Sequence, residues 1–280
     1  MLWEADTAAD PYAMTPKRVL VAILRGVPLA IITFSCLGLL LLVRLIERPV
    51  YGLRRPITPH ITQFVCRAAF VILGIKRVVR GREQINQGAL VANHASWLDI
   101  FTLNASKRIY FVSKSEVASW PGIGWLARAT GTVFIKRDPR QAADQKRVFQ
   151  ERLLAGHKLM FFPEGTSTDG LRVLPFKPTL FAAFFEPELK DVLYIQAVST
   201  VYHAPQGYED RFYGWWGDMD FAPHLLKTLA ATPQGWVEVI YHEPLKVSDF
   251  ANRKTLAAFV ENQTREGLVQ TLENARRLKA

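Results

Sequence analysis

Cysteine is scarce in this chain: of 280 residues only Cys36 and Cys66 are cysteines, and both lie inside apolar stretches. A disulfide framework and a cysteine-based metal site are therefore not implied, which agrees with a protein facing the cytoplasm. Both thiols read as small hydrophobes, and with neither in a polar block a covalent cysteine mechanism is disfavoured. The nucleophile elbow G-x-S-x-G is absent, which argues against a lipid esterase of that type. Zinc-finger spacing, RNA-recognition signatures and a helix-turn-helix pattern are missing too. Acidic residues are few, 25 against 35 Lys and Arg, giving a net charge of +10. With nucleic acid the poorer partner, anionic lipid headgroups remain the natural complement to that charge. No internal repeat or low-complexity tract interrupts the sequence.

Apolar residues, by contrast, are plentiful: 49% of the chain is hydrophobic. That is enough for the core of one sizeable α/β domain and for a membrane-facing surface. Residues 1–16 are polar and mixed, with Pro11 and Pro16, and read as a loose terminus. The run from Gly26 to Val43 carries no charge over 18 residues, the lower limit for spanning a bilayer. It has no cleavage site after it, so it is not a removed signal. Basic residues flank it on both sides (Lys17, Arg18, Arg25; Arg44, Arg48, Arg54, Arg55), so the positive-inside rule picks no direction. A second run, Ile61 to Ile75, is shorter and contains Arg67. Residues 17–77 thus read as a membrane-associating helical pair that dips into one leaflet, its arginines snorkelling to headgroups. One true crossing is the alternative.

From about residue 78 to 280 strands alternate with helices, which predicts a layered α/β domain with a mostly parallel sheet flanked by helices. Expected strands cover 88–92, 108–112, 132–135, 158–162, 192–201 and 237–241; expected helices cover 141–155, 224–230 and 252–278. The segment Thr179–Phe185 reads as a core helix or as the lining of an acyl channel. Tyr213-Gly214-Trp215-Trp216-Gly217 suits either a membrane interface or domain packing.

The chemistry concentrates where the first central strand ends. Gly88–Ala92 is apolar throughout, and Asn93-His94 follow at its carboxyl end, where open α/β sheets bind ligands. Ser96 is a candidate N-cap, with Asp99 three residues on completing a variant capping box. A carboxylate accepting from one imidazole nitrogen fixes the tautomer and leaves the other as a general base. Backbone amides near Ser96 are candidates to steady an oxyanion. Downstream, Lys136, Arg137 and Arg140 sit at the end of a strand as a candidate phosphate clamp. Farther on, Glu164, Gly165 and Thr166 open a loop whose backbone can approach a ligand.

These blocks, taken together, resemble the glycerolipid acyltransferase (PlsC-like) family. They are Asn93-His94 with Asp99 (NHx₄D), Gly131 to Arg137 (GxxFxxR), Phe162 to Thr166 (FPEGT) and a later apolar strand ending near Val201. The resemblance implies an N-terminal two-helix membrane anchor and a lysolipid O-acyltransferase. Such an enzyme moves a fatty acyl group from acyl carrier protein or coenzyme A thioester, a co-substrate rather than a bound cofactor, to a lipid hydroxyl. It implies His94 and Asp99 as the catalytic pair, Arg137, Lys136, Glu164, Gly165 and Thr166 around the substrate, and a place on the cytoplasmic face of the inner membrane. Two departures stand out. Ser167 occupies the position of an arginine usual in lysophosphatidate-using members, and Ile195-Gln196-Ala197-Val198 lacks the usual strand proline. The run FPEGTSTDG looks more like the branch that acylates lyso-ornithine lipid, so that acceptor is favoured over lysophosphatidate. Arg172 and Lys177 remain alternative phosphate contacts. The rival from another class is a non-catalytic lipid-binding protein that kept the fold; an intact His-Asp pair argues against it.

Overall fold

A computed structural model describes residues 3–84, 88–135 and 142–279. The strands are β1 (Lys76–Arg80), β2 (Gly88–Ala92), β3 (Tyr110–Lys114), β4 (Val133–Ile135), β5 (Leu159–Phe161), β6 (Tyr194–His203) and β7 (Trp236–Lys246). They form one sheet in the order β1-β7-β6-β2-β5-β3-β4, with every neighbouring pair parallel except β6 and β7. Helices are α1 (Pro16–Tyr51), α2 (Thr58–Leu73), α3 (Leu98–Ser106), α4 (Ile123–Thr130), α5 (Ala142–Leu154), the short α6 (Pro187–Lys190), α7 (Phe221–Ala230) and α8 (Arg253–Lys279).

β2 is central and apolar on both faces, as a strand covered twice must be. Alternate residues enter different cores. Ala89 and Val91 join Phe181, Phe184, Val260 and Leu268, while Leu90 and Ala92 join Leu103, Phe111 and Val198. The segment Pro178–Phe185 is a 3₁₀ helix whose Phe181 and Phe184 are fully buried, so it belongs to the core and is not a channel wall. Truncating either phenylalanine to alanine costs about 3–5 kcal/mol. The long strand β6 runs past the expected end at Val201 to His203, and β7 runs from Trp236 to Lys246, beyond the expected 237–241. Their antiparallel pairing over nearly the whole length extends both.

α1 and α2 form the expected helical pair. α1 is a continuous 36-residue helix with mean hydropathy 2.5 in its most apolar window, of which 6% is buried. Glu47, itself buried, ties the turn between them by accepting from the amides of Ile57 and Thr58 and from the Thr58 hydroxyl. α1 stays against the α/β domain at both ends. Arg25 donates to the Leu229 and Ala231 carbonyls, and just past the turn Arg55 donates to the Ala129 carbonyl. The faces turned away carry exposed Leu24, Ile31, Phe34, Leu42, Phe64 and Val71. Such an unpartnered apolar surface belongs against lipid.

The N-terminal segment differs from expectation. Residues from Trp3 to Thr15 are tied to the domain: Arg211 donates to the Thr7 and Ala8 carbonyls, and the Asp10 amide donates to Glu209. Tyr12 packs on Tyr208 and Phe212. Aromatic side chains at Trp3 and Tyr12 supply the packing that a composition reading of this polar stretch undervalues.

Candidate active site

β2 and β5 are parallel neighbours with Val91 opposite Phe161. Two motifs that stand seventy residues apart in the chain therefore leave the sheet side by side. The His94 amide donates to Glu164 Oε1 at 2.7 Å, and the His94 ring stacks on Phe162 with centroids 4.1 Å apart.

Asn93 closes the other side of β2. Its Nδ2 donates to the Thr200 carbonyl at 2.9 Å, and its Oδ1 accepts from the Thr200 amide at 2.8 Å. Where β2 bends away from β6, this side-chain amide takes the place of a peptide group in the ladder. Only a residue with both a donor and an acceptor can do so, which explains asparagine before the histidine.

His94 Nδ1 lies 2.7 Å from Asp99 Oδ2. Asp99 is fully buried, and its Oδ2 also accepts from the amides of Ala95 at 2.8 Å and Ser96 at 3.0 Å. Its Oδ1 accepts from the Tyr202 hydroxyl at 2.8 Å, and Tyr202 in turn meets Thr102 Oγ1 at 2.9 Å. Four donors thus hold one carboxylate in place, with Nδ1–H of His94 as one of them. The His94 side chain keeps 20% of its surface, and Nε2 has no partner among the described residues. His224 shows the contrasting, structural arrangement: Nδ1 accepts from Trp97 Nε1 and Nε2 donates to the Gly214 carbonyl. Burial, with Lys227 close by, pushes His224 down to about 3, so it stays neutral with both nitrogens used. His94 alone of the two has a nitrogen to offer.

The capping box forms only in part. α3 starts at Leu98 with Trp97 as its uncapped N-cap, and Ser96 Oγ makes only a 3.4 Å contact to the Leu98 amide. Asp99 supplies the other half by reaching back to the Ser96 amide. This narrows the amides near Ser96 that could steady an oxyanion to that of Trp97, which donates to nothing among the described residues. Those of His94, Ala95 and Ser96 all donate to carboxylates already. The loop's carbonyls are held as well: Thr168 donates its amide to His94 O, and Trp215 donates to Ala95 O. The histidine sits on a rigid loop, and Trp215 and the buried Trp216 serve domain packing.

Glu164 is 2% exposed and spans two loops, with Oε2 accepting from the Leu174 amide at 2.7 Å. Burial pushes its carboxyl up to about 8, against the pull of its two amide hydrogen bonds. The geometry makes it a brace under His94. Gly165 has φ +72° and closes a turn by donating to the Phe162 carbonyl, a conformation that favours glycine. Thr166 Oγ1 touches the Trp3 amide at 3.5 Å. Arg172 is engaged by Asp169 through Nε and Nη2 at 3.2 and 2.9 Å. Ser167, at the position of the missing arginine, is 9% exposed. Lys136, Arg137 and Arg140 lie outside the described residues.

Sequence reading missed Tyr202. Its signal was present: at the carboxyl end of a strand whose preceding residues, Ala197 to Val201, are small or aliphatic, a tyrosine hydroxyl needs a buried partner.

An apolar cavity of about 260 Å³ lies between α1, α2, α3 and α4, lined by Leu40, Val65, Trp97, Phe101, Phe111 and Leu126 among others. Trp97 places one end of it three residues from His94.

Comparison with known proteins agrees with this geometry. The family model described as Acyltransferase matches residues 76–201. The lyso-ornithine lipid O-acyltransferase of Rhodobacter capsulatus is 59% identical over 247 residues, covering 88% of this chain and 90% of that one. A 1-acyl-sn-glycerol-3-phosphate acyltransferase of Neisseria gonorrhoeae is 37% identical over 126 residues, 45% of this chain and 48% of that one. The crystal structure of the 1-acyl-sn-glycerophosphate acyltransferase PlsC from Thermotoga maritima shares the fold, with TM-score 0.65 at 21% identity over 91% of this chain and 96% of that one. The chain belongs to the PlsC-like acyltransferase family, and it is an acyltransferase.

Proposed function

We propose that this enzyme transfers a fatty acyl group from a thioester of acyl carrier protein or coenzyme A to the free hydroxyl of a lysolipid, with lyso-ornithine lipid as the favoured acceptor and lysophosphatidate as the second. The observation that carries the reading is the single uncommitted nitrogen of His94, backed by a saturated, buried Asp99, with an apolar cavity lined by Trp97 three residues on in the chain. Nε2 takes the proton of the acceptor hydroxyl as that oxygen attacks the thioester carbonyl. The new C–O bond forms, the C–S bond breaks, and the imidazolium returns the proton to the departing thiolate. Asp99 holds the ring in the tautomer this needs and stabilises the imidazolium. Since the amides at 94–96 are spent, the oxyanion falls to the amide of Trp97 or to those of Thr166 and Ser167 in the turn after Gly165, which donate to nothing among the described residues. The cavity beside Trp97 takes the acyl chain, its lining being almost wholly apolar.

Acceptor choice rests on charge. Lysophosphatidate needs cationic contacts at its phosphate. Ser167 offers none and Arg172 is paired with Asp169, so Arg137 and Lys136 are the proposed donors, with Lys177 as the alternative. An ornithine headgroup carries its own ammonium and carboxylate and asks for less. The extent of likeness to the Rhodobacter enzyme, nearly end to end, supports the same choice. The membrane-facing helices lie in one leaflet of the cytoplasmic side of the inner membrane: α1 is fastened to the catalytic domain at both ends, so the pair dips and returns.

Initial rates of the purified full chain on lyso-ornithine lipid and lysophosphatidate, each with acyl carrier protein and coenzyme A thioesters, test the proposal. The expected result is turnover of both acceptors with the ornithine lipid ahead. Efficient use of lysophosphatidate with none of lyso-ornithine lipid overturns the acceptor, and no transfer to either overturns the reading.

A further inference from the structure

At the opposite end of the sheet from His94, about 16 Å away along the five residues of β2, lies a second and larger cavity, open to the surface. It measures about 580 Å³ and lies where β3 and β5 begin, under the α1–α2 turn. Its lining is cationic: Arg54, Arg55, Arg67, Lys107, Arg108 and Lys158. Glu83 is the one carboxylate in the lining, and Lys158 Nζ takes both of its oxygens at 2.8 and 2.7 Å. Arg55 and Arg67 are positioned by backbone carbonyls, those of Ala129 and Ala105, at 2.7 and 3.0 Å, and not by an acid.

Beneath them His157 lines the cavity at 4% exposure, stacked on Tyr110 at 4.2 Å. Among the described residues neither of its ring nitrogens has a well-formed hydrogen bond; the Leu53 carbonyl makes only a weak contact. Burial, with Arg152 and Arg55 close by, holds this histidine at about 4, so it is neutral and presents one N–H and one acceptor. Arg152 also leaves its buried Nε unpaired. A fold that buries guanidinium groups without acids, and leaves a polar ring unsatisfied among them, gains most from an anion with several acceptor oxygens.

We propose that this cavity binds the phosphate of an anionic phospholipid headgroup, a site distinct from the acyl-transfer centre. A free phosphate shares the chemistry, and the rim decides for the lipid. Val50, Tyr51, Leu53 and Ile57 on the turn above the cavity are 46–65% exposed, so the cations open beside a surface that itself requires lipid. An aromatic, arginine-flanked apolar edge is how a monotopic protein meets the headgroup layer. The headgroup then fixes the orientation of the α1–α2 turn at the membrane surface while acyl transfer proceeds at the other end of the sheet.

The test uses the full chain in neutral detergent micelles doped with phosphatidylglycerol or phosphatidylcholine, with affinity read from the rise of the thermal-unfolding midpoint. Saturable stabilisation by phosphatidylglycerol is expected, with little from phosphatidylcholine at the same mole fraction. Each cation near a lipid surface contributes about fivefold in affinity, so Arg54→Gln/Arg108→Gln should weaken it by about 25-fold. Arg253→Gln/Lys254→Gln, an equal charge change at the exposed start of α8, should leave it unchanged. Equal loss in both double variants overturns the site in favour of diffuse surface charge. Displacement by inorganic phosphate at matched ionic strength, without any preference for phosphatidylglycerol, overturns the lipid assignment. So does a rise in the acyl carrier protein KM of the cavity variant with lipid affinity unchanged, which would give the cavity to the protein donor.

Discussion

Tyr202→Phe isolates the part of the catalytic arrangement that the sequence left hidden. The variant keeps the ring among its neighbours and removes one hydroxyl that donates to Asp99 Oδ1 at 2.8 Å and meets Thr102 at 2.9 Å. Tyr202 is 4% exposed and Asp99 fully buried, so water does not replace the lost donor. A hydrogen bond to a charged group contributes about 1.5–3 kcal/mol. Part of that loss falls on folding, and a chain of this size should lose about 2–4 °C of melting temperature per kcal/mol. The rest falls on the imidazolium-bearing transition state, because a carboxylate held by three donors instead of four orients His94 less well. We expect kcat to fall about 4- to 10-fold, the equivalent of about 0.8–1.4 kcal/mol, with the acceptor KM nearly unchanged. Steady-state kinetics and thermal unfolding on the same preparation separate the two effects. A variant that melts several degrees lower yet keeps kcat within twofold would make Tyr202 a core residue only, and the reasoning about Asp99 would be refuted.

Three further outcomes are expected. Asp99→Asn should leave substrate affinity nearly intact and lower kcat by about 10⁴-fold through the wrong imidazole tautomer, whereas a loss below tenfold in kcat would remove Asp99 from the mechanism. Because burial raises Glu164 to about 8, its folded state holds a proton that the unfolded chain releases near pH 4.3. That contribution to stability is full below pH 4.3 and lost as pH rises through 8. Glu164→Gln should therefore flatten the wild-type fall in stability between about pH 5 and 8, at a cost of about 1–3 kcal/mol from one mismatched amide, and denaturant unfolding across that range shows whether it does. Protease-cleavable tags at residues 1 and 280 should both be cut from the cytoplasmic side of sealed vesicles, since α1 and α2 return to the domain; protection of the N-terminal tag alone would establish a crossing.

What could be read from the chain follows physical lines. Local apolar pattern and motif position located β2, the His94–Asp99 pair and the parallel α/β layers, because each is decided within ten residues or by strand–helix alternation. Pairing over long separations was not legible. The antiparallel reach of β6 and β7, which carries Tyr202 to Asp99, depends on partners far apart in sequence, such as Tyr202 and Val237. Glu164 looked like one of the residues around the substrate because its exposure was unknown, and only the register of β2 against β5 turns it under the His94 loop. The amides of Ala95 and Ser96 were free on paper and are taken in the fold, since Asp99 reaches back over them. Trp3 and Tyr12 anchor a terminus that composition alone reads as loose.

The most direct test of His94 as general base is the activity of purified His94→Ala on lyso-ornithine lipid with acyl carrier protein thioester, measured alongside its thermal unfolding. Removal of the base should lower kcat by about 10²- to 10⁴-fold, while the fold and membrane recovery persist, since the His94 ring makes one side-chain hydrogen bond and one stack. A folded His94→Ala enzyme working within a few-fold of wild type would contradict the mechanism.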